Sequence, residues 1–455
     1  MRNILIIGAG RSTTSLIRYL IEKSSSENLF ITIGDISLES AQKLTKNHPN
    51  AKGILLDVFN KKQREEAVKA VDIVISMLPA RFHIEVAKDC VTYEKNLVTA
   101  SYISDEMQAL NKEVVEKGLV FMNEIGVDPG IDHMSAMQVI DTIRDKGGKL
   151  ILFESFTGGL IAPESDDNLW NYKFTWNPRN VVLAGQGGAA EFLQEGLHKY
   201  IPYNRLFRRT ELIKIKGYGE FEVYANRNSL KYQKVYGFKD ILTLYRGTIR
   251  RVGFSRAWNI FVQLGMTDDS YTIPNSENLS YREYVNLFLP YSPTDSIELK
   301  LRHNLKIDQD DLIWKKLKEI DIFNSKKYLE IKNATPAQAL QKILMEKWAL
   351  AKEDKDMIVM YHKFGYELNG KNYQIDSSMV TLGEDQTYTA MSKTVGLPVA
   401  IAALKILNKT ITTPGVLRPI DKEVYEPILK ELETYGVEFN EEKKEYLGYN
   451  PDKLD

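Results

Sequence analysis

The stretch from Arg2 to Asp35 constrains the fold of this chain more than any other part of it. An apolar run, Ile4 to Ile7, leads into Gly8-Ala9-Gly10, a helical pattern follows, and a second apolar run ends at Gly34-Asp35. Strand, glycine turn, helix, strand and acid in this order are typical of a dinucleotide-binding unit.

The glycine turn and the acid that follows the second apolar run each have an expected role in binding a dinucleotide. Gly8 allows a sharp turn out of the strand, and Gly10 leaves room for a diphosphate at the N-terminus of the helix, where unpaired N–H groups favour an anion. The third position of the pattern holds Thr13 instead of glycine. Asp35 can accept hydrogen bonds from a ribose 2′-hydroxyl and would repel a 2′-phosphate, so we predict NAD rather than NADP.

Length and charge exclude several classes of protein. With 455 residues the chain is too long for one compact core, and a formal net charge of −1 gives no field to hold nucleic acid or an anionic membrane.

The only cysteine, Cys90, fits a cytoplasmic protein. The run from Val395 to Leu407 is too short to predict a membrane span. Because the sequence has no His-x-x-x-His pair and no cysteine cluster, we predict no metal.

Apolar runs and helical patterns alternate over residues 1–130, which predicts an α/β fold with a doubly wound parallel sheet. The strand ends carry Asp57, Ser76, Ser101-Tyr102 and the loop from Asn123 to Gly130. Ligands of such sheets bind outside the carboxyl ends of the strands, so we expect these loops to flank a nicotinamide.

The remaining sequence predicts further domains. The predicted domains are a Rossmann domain of residues 1–130 and 391–455, an α+β domain of residues 131–252 and 352–390, and a small helical subdomain of residues 253–351. Within them, Asn369-Gly370 predicts a hairpin, and Ser280 with Glu283 predicts a helix-capping box.

Several motifs together carry a family resemblance. They are Gly8-Ala9-Gly10, Thr99-Ala100-Ser101-Tyr102, the run from Met122 to His133, Gly158-Gly159-Leu160, Ala162-Pro163-Glu164-Ser165, the run from Tyr172 to Trp176, Asn226-Arg227 and Arg246-Gly247-Thr248. In these motifs the chain resembles the saccharopine dehydrogenase family, the glutamate-forming enzymes of lysine metabolism. The run from Asn123 to His133 is the most specific of them.

The resemblance implies a nicotinamide-dependent oxidoreductase that acts on a CH–NH group. It would cleave saccharopine to L-glutamate and α-aminoadipate semialdehyde, or run the reverse reductive condensation, as a homodimer whose α+β domain binds substrate and forms the dimer. The implied substrate contacts are Ser101, Tyr102, Asp128, Arg227, Arg246, Gly247 and Thr248. The implied cofactor contacts are Gly8, Gly10, Arg11, Ser12, Thr13, Asp35, Asp57, Ser76, Val127 and Trp176.

The chain departs from the fungal members of that family at two places. Where they carry a Cys-Arg pair and use NADP, this chain has Gly34-Asp35, which strengthens the prediction of NAD. Where they carry a cysteine before the Gly-Gly pair, this chain has Thr157, so we expect no thiol in the chemistry.

Saccharopine carries three carboxylates, so its site requires cationic partners, and Arg227 and Arg246 are the candidates. The reaction also requires groups that exchange protons near neutral pH. Asp128 and Tyr102 are the candidate catalytic residues, and ordered water could also carry the protons.

Three further residues are weaker candidates. Lys173 and His133 stand behind Asp128 and Tyr102 as acid or base, and His83, at the start of a helix, is interpreted as a structural or capping residue. Two other functions stay open at this point: an imine reductase similar to carboxynorspermidine dehydrogenase, with an acidic pocket, and a non-catalytic NAD-binding protein.

Overall fold

The computed structural model of the chain describes residues 1–446 and 448, and the chain divides into two compact units. The first unit comprises Met1–Lys149, Tyr366–Lys371 and Met379–Glu442, and the second comprises Leu150–Gly365, Asn372–Ser378 and the segment that begins at Lys443. Residues 447 and 449–455, at the end of the predicted Rossmann domain, lie outside the described residues. The division into three domains stays a prediction.

The elements are numbered in chain order. The strands are β1 Arg2–Ile7, β2 Leu29–Asp35, β3 Ala51–Leu55, β4 Ile73–Ser76, β5 Asn96–Val98, β6 Val120–Met122, β7 Lys149–Ile161, β8 Ala190–Gln194, β9 Leu197–Ile201, β10 Thr210–Ile215, β11 Gly219–Ala225, β12 Thr243–Arg251, β13 Asp356–Leu368, β14 Lys371–Leu382, β15 Gly415–Leu417 and β16 Asn440–Glu445. The α-helices are α1 Thr14–Lys23, α2 Leu38–Thr45, α3 Lys61–Lys69, α4 His83–Thr92, α5 Asp105–Ala109, α6 Asn111–Glu116, α7 Ile131–Asp145, α8 Pro178–Val182, α9 Tyr203–Leu206, α10 Phe254–Leu264, α11 Tyr281–Asn286, α12 Ile297–Leu305, α13 Leu312–Glu319, α14 Pro336–Trp348, α15 Ala390–Leu407 and α16 Lys422–Glu433.

The first unit is built on a seven-stranded parallel sheet with the strand order β15-β6-β5-β4-β1-β2-β3. The order reverses direction between β1 and β4, which is the switch point of a doubly wound sheet. Its apolar strands are buried, and Ile4 to Ile7 have at most 1% of their surface exposed. The predicted fold class is confirmed, and the carboxyl ends of β1 and β4 mark where a ligand is expected.

Helix α15 is part of the core of the first unit. Among the described residues it is the one helix that is long and apolar enough to cross a membrane, and 72% of that window is buried inside the structure. It is longer than the apolar run seen in the sequence, because Ala390 to Thr394 also belong to it. It packs along α1, and its apolar side chains are part of the hydrophobic core of this unit.

The second unit contains a mixed sheet with the strand order β10-β11-β12-β7-β13-β14-β16, and β8 joins it through β12. Strands β11 and β12 are antiparallel, whereas β12 and β7 are parallel. The predicted hairpin is confirmed, with Asn369 and Gly370 both at positive φ between β13 and β14. The capping box of Ser280 and Glu283 is also confirmed, at the start of α11.

Large aromatic side chains form the core of the second unit beside this sheet. Trp170, Tyr172, Phe254, Trp258 and Trp348 each expose 2% of their surface or less, and their ring centroids lie 5.1 to 6.2 Å apart in successive pairs. Their burial gives the unit a rigid support for the strands.

Candidate functional site

The glycine turn after β1 has the shape that the sequence predicts. Gly8 has φ +110°, and a Cβ there would lie 2.9 Å from the carbonyl oxygen of Met77. A Cβ on Gly10 would meet nothing within 4 Å, so the backbone there faces open space. Thr13 closes the turn through its hydroxyl, which donates to the Gly10 carbonyl at 2.7 Å. The turn therefore fits a diphosphate, which would occupy the space beside Gly10.

Helix α15 holds the start of α1 in place. A Cβ on Gly396 would lie 3.0 Å from the carbonyl oxygen of Ser12 and from the backbone nitrogen of Leu16, so the two helices touch there. The Ser392 hydroxyl lies 2.9 Å from that of Thr14 and 2.6 Å from that of Ser15. The glycine that permits close packing thus lies on α15, while the third position of the turn holds threonine.

Asp35 holds the same turn from the end of β2. Its Oδ2 accepts a hydrogen bond from the backbone N–H of Ala9 at 2.7 Å, and its Oδ1 accepts one from the N–H of Ser37 at 2.8 Å. Both oxygens are therefore engaged with the backbone of their own unit. In the loop after β3, the Asp57 carboxylate accepts from the N–H of Phe59 at 2.9 Å.

A chain of side-chain hydrogen bonds joins the ends of β4 and β5. Nδ1 of His83 lies 2.8 Å from the hydroxyl of Ser76, and Nε2 lies 2.7 Å from the hydroxyl of Ser101. His83 is 4% exposed, and burial lowers its pKa to about 4. The imidazole is therefore neutral at physiological pH and bridges a predicted cofactor residue and a predicted substrate residue.

Sequence reasoning assigned His83 only a structural or capping role. The structure shows no side-chain capping bond at the turn that precedes α4, and the ring points to the two serines instead. The sequence feature that could have indicated this bridge is a histidine that lies between two serines, each at the end of one of two neighbouring strands. Parallel strands bring such ends together at one edge, but the rotamer that joins them is visible only in the structure.

The loop after β6 is held by a buried group of charges. Glu124 accepts hydrogen bonds from Nε of Arg418 at 2.9 Å and from the backbone N–H of Ile103 at 3.1 Å, and it lies 3.1 Å from Nε2 of His133. Hydrogen bonds and cationic neighbours outweigh burial and lower the pKa of Glu124. Asp132 lies in the first turn of α7, and its carboxylate accepts from the N–H of the preceding N-cap residue Gly130 at 2.6 Å.

The two candidate catalytic residues lie in loops that this group supports. Asp128 is partly buried, and Tyr102 exposes 50% of its surface. Tyr102 precedes Ile103, whose N–H is held by Glu124. Val127 is buried, with 8% of its surface exposed. These residues follow β5 and β6, neighbouring strands of one sheet, which places their loops at the same edge.

The second unit places its predicted site residues in and beside β12. Arg246 is 6% exposed, and its guanidinium lies 4.2 Å above the ring of Tyr232. Its carbonyl oxygen accepts from the N–H of Asn226 at 2.9 Å, and the exposed Arg227 follows Asn226 just after β11. Arg227 has φ +46°, a left-handed conformation at the end of β11. The two predicted carboxylate ligands therefore lie on adjoining stretches of backbone, Arg246 buried and Arg227 exposed.

Close strand packing explains why glycine follows Arg246. A Cβ on Gly247 would lie 2.9 Å from Phe156 and from the carbonyl oxygen of Tyr224. Thr248 pairs with Thr157 across β7 and β12, so Thr157 lies directly beside a predicted substrate contact.

Two other predicted residues of this unit differ in their surroundings. Trp176 exposes 37% of its surface, as a ligand-stacking residue would. Lys173 is buried, and its Nζ donates to Asp167 and Asp354, each at 2.8 Å. Burial lowers the pKa of Lys173, but the two salt bridges outweigh it and raise the pKa above its ordinary value, so Lys173 stays a structural cation and offers no base. Among the described residues, no group of three or more His, Cys, Asp or Glu side chains could hold a metal ion.

A doubly wound sheet with an open glycine turn at its switch point is typical of the dinucleotide-binding proteins. Comparison with known proteins narrows that class to one family of oxidoreductases. Residues 4–122 match the model of the saccharopine dehydrogenase NADP binding domain, and residues 126–437 match that of the saccharopine dehydrogenase C-terminal domain. The chain therefore belongs to the saccharopine dehydrogenase family. The predicted family and the predicted oxidoreductase class are confirmed.

Individual relatives cover nearly the whole chain. Saccharopine dehydrogenase [NADP(+), L-glutamate-forming] of Schizosaccharomyces pombe is 32% identical over 97% of this chain and 99% of its own length. The protein of the same name from Saccharomyces cerevisiae is 33% identical, again over 97% and 99%. The structure of the apo, L-glutamate-forming enzyme of Saccharomyces cerevisiae matches with a TM-score of 0.89 and 32% identity, covering 98% of this chain and 100% of that one.

The predicted preference for NAD is wrong. The matching domain is an NADP binding domain, and both fungal relatives are NADP(+) enzymes. In the structure the carboxylate of Asp35 accepts the N–H groups of Ala9 and Ser37, so both of its oxygens have backbone partners. An acid that shapes the turn in this way is not, by its presence alone, a ligand of the ribose hydroxyl.

Proposed function

We propose that this chain catalyses the saccharopine dehydrogenase reaction of lysine metabolism with NADP as its cofactor. Oxidation would give L-glutamate and α-aminoadipate semialdehyde, and the reverse reaction is their reductive condensation. The observation that carries this proposal is the similarity to glutamate-forming enzymes over 97% of the chain.

The products fix which bonds change. Because the semialdehyde contains the oxidised carbon, the hydride leaves the CH₂ group that joins the nitrogen to the lysine-derived part. NADP, when bound, accepts that hydride. Water then adds to the imine, and the C–N bond of the carbinolamine breaks to release glutamate. The amine loses a proton as the imine forms, and the leaving nitrogen gains one, so the site needs groups that exchange protons.

The arginines of the second unit are the proposed partners of the substrate carboxylates. Arg246 is buried and held over an aromatic ring, which keeps its guanidinium in one orientation, and Arg227 is exposed just after β11. A planar guanidinium can hold a carboxylate through two parallel hydrogen bonds. The proposed substrate contacts are Ser101, Tyr102, Asp128, Arg227, Arg246, Gly247 and Thr248.

Asp128 and Tyr102 are the proposed catalytic residues, which would exchange protons with the reacting nitrogen and with water. This proposal is supported by the contacts of the two other candidate acids or bases, His133 and Lys173. His133 lies against Glu124, and Lys173 is committed to two aspartates, so neither is placed to act.

All but one of the proposed cofactor contacts belong to the first unit, in the turn after β1 and at the ends of the neighbouring strands, whereas Trp176 belongs to the second unit. They are Gly8, Gly10, Arg11, Ser12, Thr13, Asp35, Asp57, Ser76, Val127 and Trp176. The open space at Gly10 supports this placement for the diphosphate. We propose that Asp35 contributes by holding the turn in shape.

We further propose that the protein is a cytoplasmic homodimer. A reducing compartment suits its single cysteine, Cys90, which is buried and free. Sedimentation equilibrium of the purified chain tests the dimer, and a monomer at all concentrations would contradict it.

A spectrophotometric assay tests the proposed reaction. The purified chain is mixed with NADPH, glutamate and α-aminoadipate semialdehyde, and loss of NADPH absorbance is followed while saccharopine is identified by mass. A parallel reaction replaces glutamate and the semialdehyde with the amine and aldehyde precursors of a carboxylated polyamine. Turnover with the first pair alone supports the proposal. Turnover only with the polyamine precursors, or none with either pair, would overturn it.

A further inference from the structure

Glu124 binds the backbone on both sides of Tyr102. Its own N–H donates to the carbonyl oxygen of Ser101 at 3.0 Å, and its carboxylate accepts from the N–H of Ile103 at 3.1 Å. These two groups belong to the peptide units immediately before and after the Cα of Tyr102, whose side chain is half-exposed. The backbone from which the phenol projects therefore depends on where the Glu124 carboxylate lies.

That carboxylate is held by a residue near the other end of the chain. Leu417 is the last residue of β15, and its carbonyl oxygen accepts from the N–H of Asn123 at 2.9 Å, just after β6. The next residue, Arg418, donates from Nε to Oε1 of Glu124 at 2.9 Å. Oε1 is also the oxygen that accepts from Ile103. A cation 294 positions away in sequence thus shares an acceptor with the loop of Tyr102.

Burial makes this ion pair consequential. Glu124 is 2% exposed, whereas the side chain of Arg418 is 28% exposed. A buried carboxylate that loses its cationic partner takes up a proton or turns toward water. Either change weakens the charge-assisted bond from Ile103. His133 lies 3.1 Å from the other oxygen, Oε2, so Arg418 is the cation bonded to the oxygen that holds Ile103.

The backbone of Glu124 is unusual in a way that fits this role. Its φ of +53° is left-handed, a conformation that residues other than glycine rarely adopt. Such residues persist where the surrounding contacts determine them, and they concentrate at functional sites. Here the N–H and the carboxylate of one residue bind on either side of Tyr102 in that conformation.

We propose that Arg418 is a positioning residue that holds Glu124, and through Glu124 the phenol of Tyr102, in place for the reaction. The proposal rests on the proposed function and deepens it, because it gives the segment after β15 a part in the chemistry of the loop after β5. In this assignment Arg418 acts only through Glu124 and does not contact the reacting atoms.

Steady-state kinetics of Arg418→Met test the assignment. We expect kcat/KM for saccharopine to fall about tenfold while the KM for NADP stays unchanged, because a small displacement of a reacting group lowers the rate without touching the cofactor site. Arg418→Lys keeps a cation and should recover part of the loss. In a Tyr102→Phe background, Arg418→Met should cost less than about twofold, since both changes act through one group. An unchanged Arg418→Met enzyme, or an undiminished loss in that background, would overturn the proposal.

Lys405→Met is the matched control for general damage to the fold. Lys405 binds Glu431 at 2.9 Å in the same unit, and their side chains are 26% and 21% exposed, close to the exposure of Arg418. The control should lower the temperature of thermal unfolding and leave kcat/KM unchanged. Equal kinetic losses in Lys405→Met and Arg418→Met would overturn the proposal.

Hydrogen exchange of the full chain, measured without turnover, keeps this inference distinct from the proposed function. Arg418→Met should speed exchange of the Ile103 amide about tenfold or more, because its acceptor is no longer held. The N–H of Thr99, which donates to the Met122 carbonyl at 2.9 Å, should exchange at its wild-type rate. An unchanged rate at Ile103, or an equal rise at Thr99, would overturn the proposal even if the enzyme is active.

The two hypotheses fail in different ways. A rise confined to the Ile103 amide, together with no turnover of saccharopine by wild type, would overturn the proposed function and the chemical role of Tyr102. The hold of Arg418 on the loop would then stand without that reaction.

Discussion

The two units carry their proposed ligand contacts in different kinds of structure. In the first unit they lie at the last residues of parallel strands and in the loops that follow, where turns and helix starts expose backbone N–H groups. In the second unit Arg246, Gly247 and Thr248 lie inside β12 itself, held between β7 and β11. Loop residues can be assigned from the sequence because strand ends share one edge, whereas residues within a strand need the register of their neighbours.

The two units also differ in the interactions that hold their site side chains in position. In the first unit, small polar groups orient one another through hydrogen bonds, as Ser76, His83 and Ser101 do. In the second, an aromatic ring and close backbone contacts hold a cation in place, as Tyr232 and the glycine after Arg246 do. The first unit should therefore respond most to changes in hydrogen bonding, and the second to changes in charge and packing.

Arg246→Met should give the largest effect and tests the second unit. The variant keeps length and apolar contact but removes the charge, so kcat/KM for saccharopine should fall about 10²- to 10³-fold, as when one partner of a buried ion pair is truncated. The KM for NADP should stay unchanged, and steady-state kinetics measure both. Arg251→Met is the matched control, because Arg251 donates to the Tyr218 carbonyl at 2.7 Å and has no proposed ligand. Equal losses in both variants would mean that Arg246 is only structural.

The pH dependence of stability tests the first unit through His83. Its folded pKa is about 4, against an ordinary value of 6.5, so the unfolded state binds more protons between these values. The neutral ring thus contributes stability that is complete above about pH 6.5 and lost as the pH falls toward about 4, on the order of 3 kcal/mol in total. Urea unfolding of wild type and His83→Phe should show the difference in unfolding free energy shrinking in that window. Parallel curves would show that the ring titrates normally.

Gly10→Ala and Gly8→Ala form a matched pair within one turn. Gly10 faces open space, so alanine should leave the unfolding free energy within about 0.5 kcal/mol of wild type. Its Cβ would occupy the proposed diphosphate position and raise the Kd for NADPH about tenfold, or about 1.4 kcal/mol. Gly8→Ala should instead destabilise the fold, because of its positive φ and the nearby Met77 carbonyl. Calorimetry and thermal unfolding give both quantities, and unchanged NADPH affinity in Gly10→Ala would exclude the turn as the diphosphate site.

Asp35→Asn should give the smallest effect. One of its two oxygens becomes an NH₂ group that faces a backbone N–H, so the unfolding free energy should fall by about 1 kcal/mol. Asp57→Asn is the control, since only one backbone N–H is bound by the Asp57 carboxylate, and its stability should change less. Thermal unfolding without ligand measures both. A loss no larger than that of Asp57→Asn would show that Asp35 does not hold the turn.

Much of the fold could be predicted from local patterns. The glycine turn, the alternation of strands and helices, the hairpin at Asn369-Gly370 and the capping box at Ser280 each depend on a few neighbouring residues. The family was also recognisable, because the run from Asn123 to His133 is specific. The hydrogen bond from Ala9 to Asp35 could not be predicted from local patterns. An acid at the end of β2 can bind either a ribose hydroxyl or the backbone of the glycine turn, and the sequence does not distinguish the two.

The sequence by itself determined the doubly wound sheet, its glycine turn and the family, because these follow from periodicity, glycine placement and short motifs. Only the tertiary structure decided that Gly396 supplies the close helix contact, that Asp35 binds the backbone of Ala9, and that His83 joins two serines. Each of these depends on side-chain directions and on contacts between residues far apart in the chain. Local propensities do not specify such contacts, so they appear only once the strands and helices are packed.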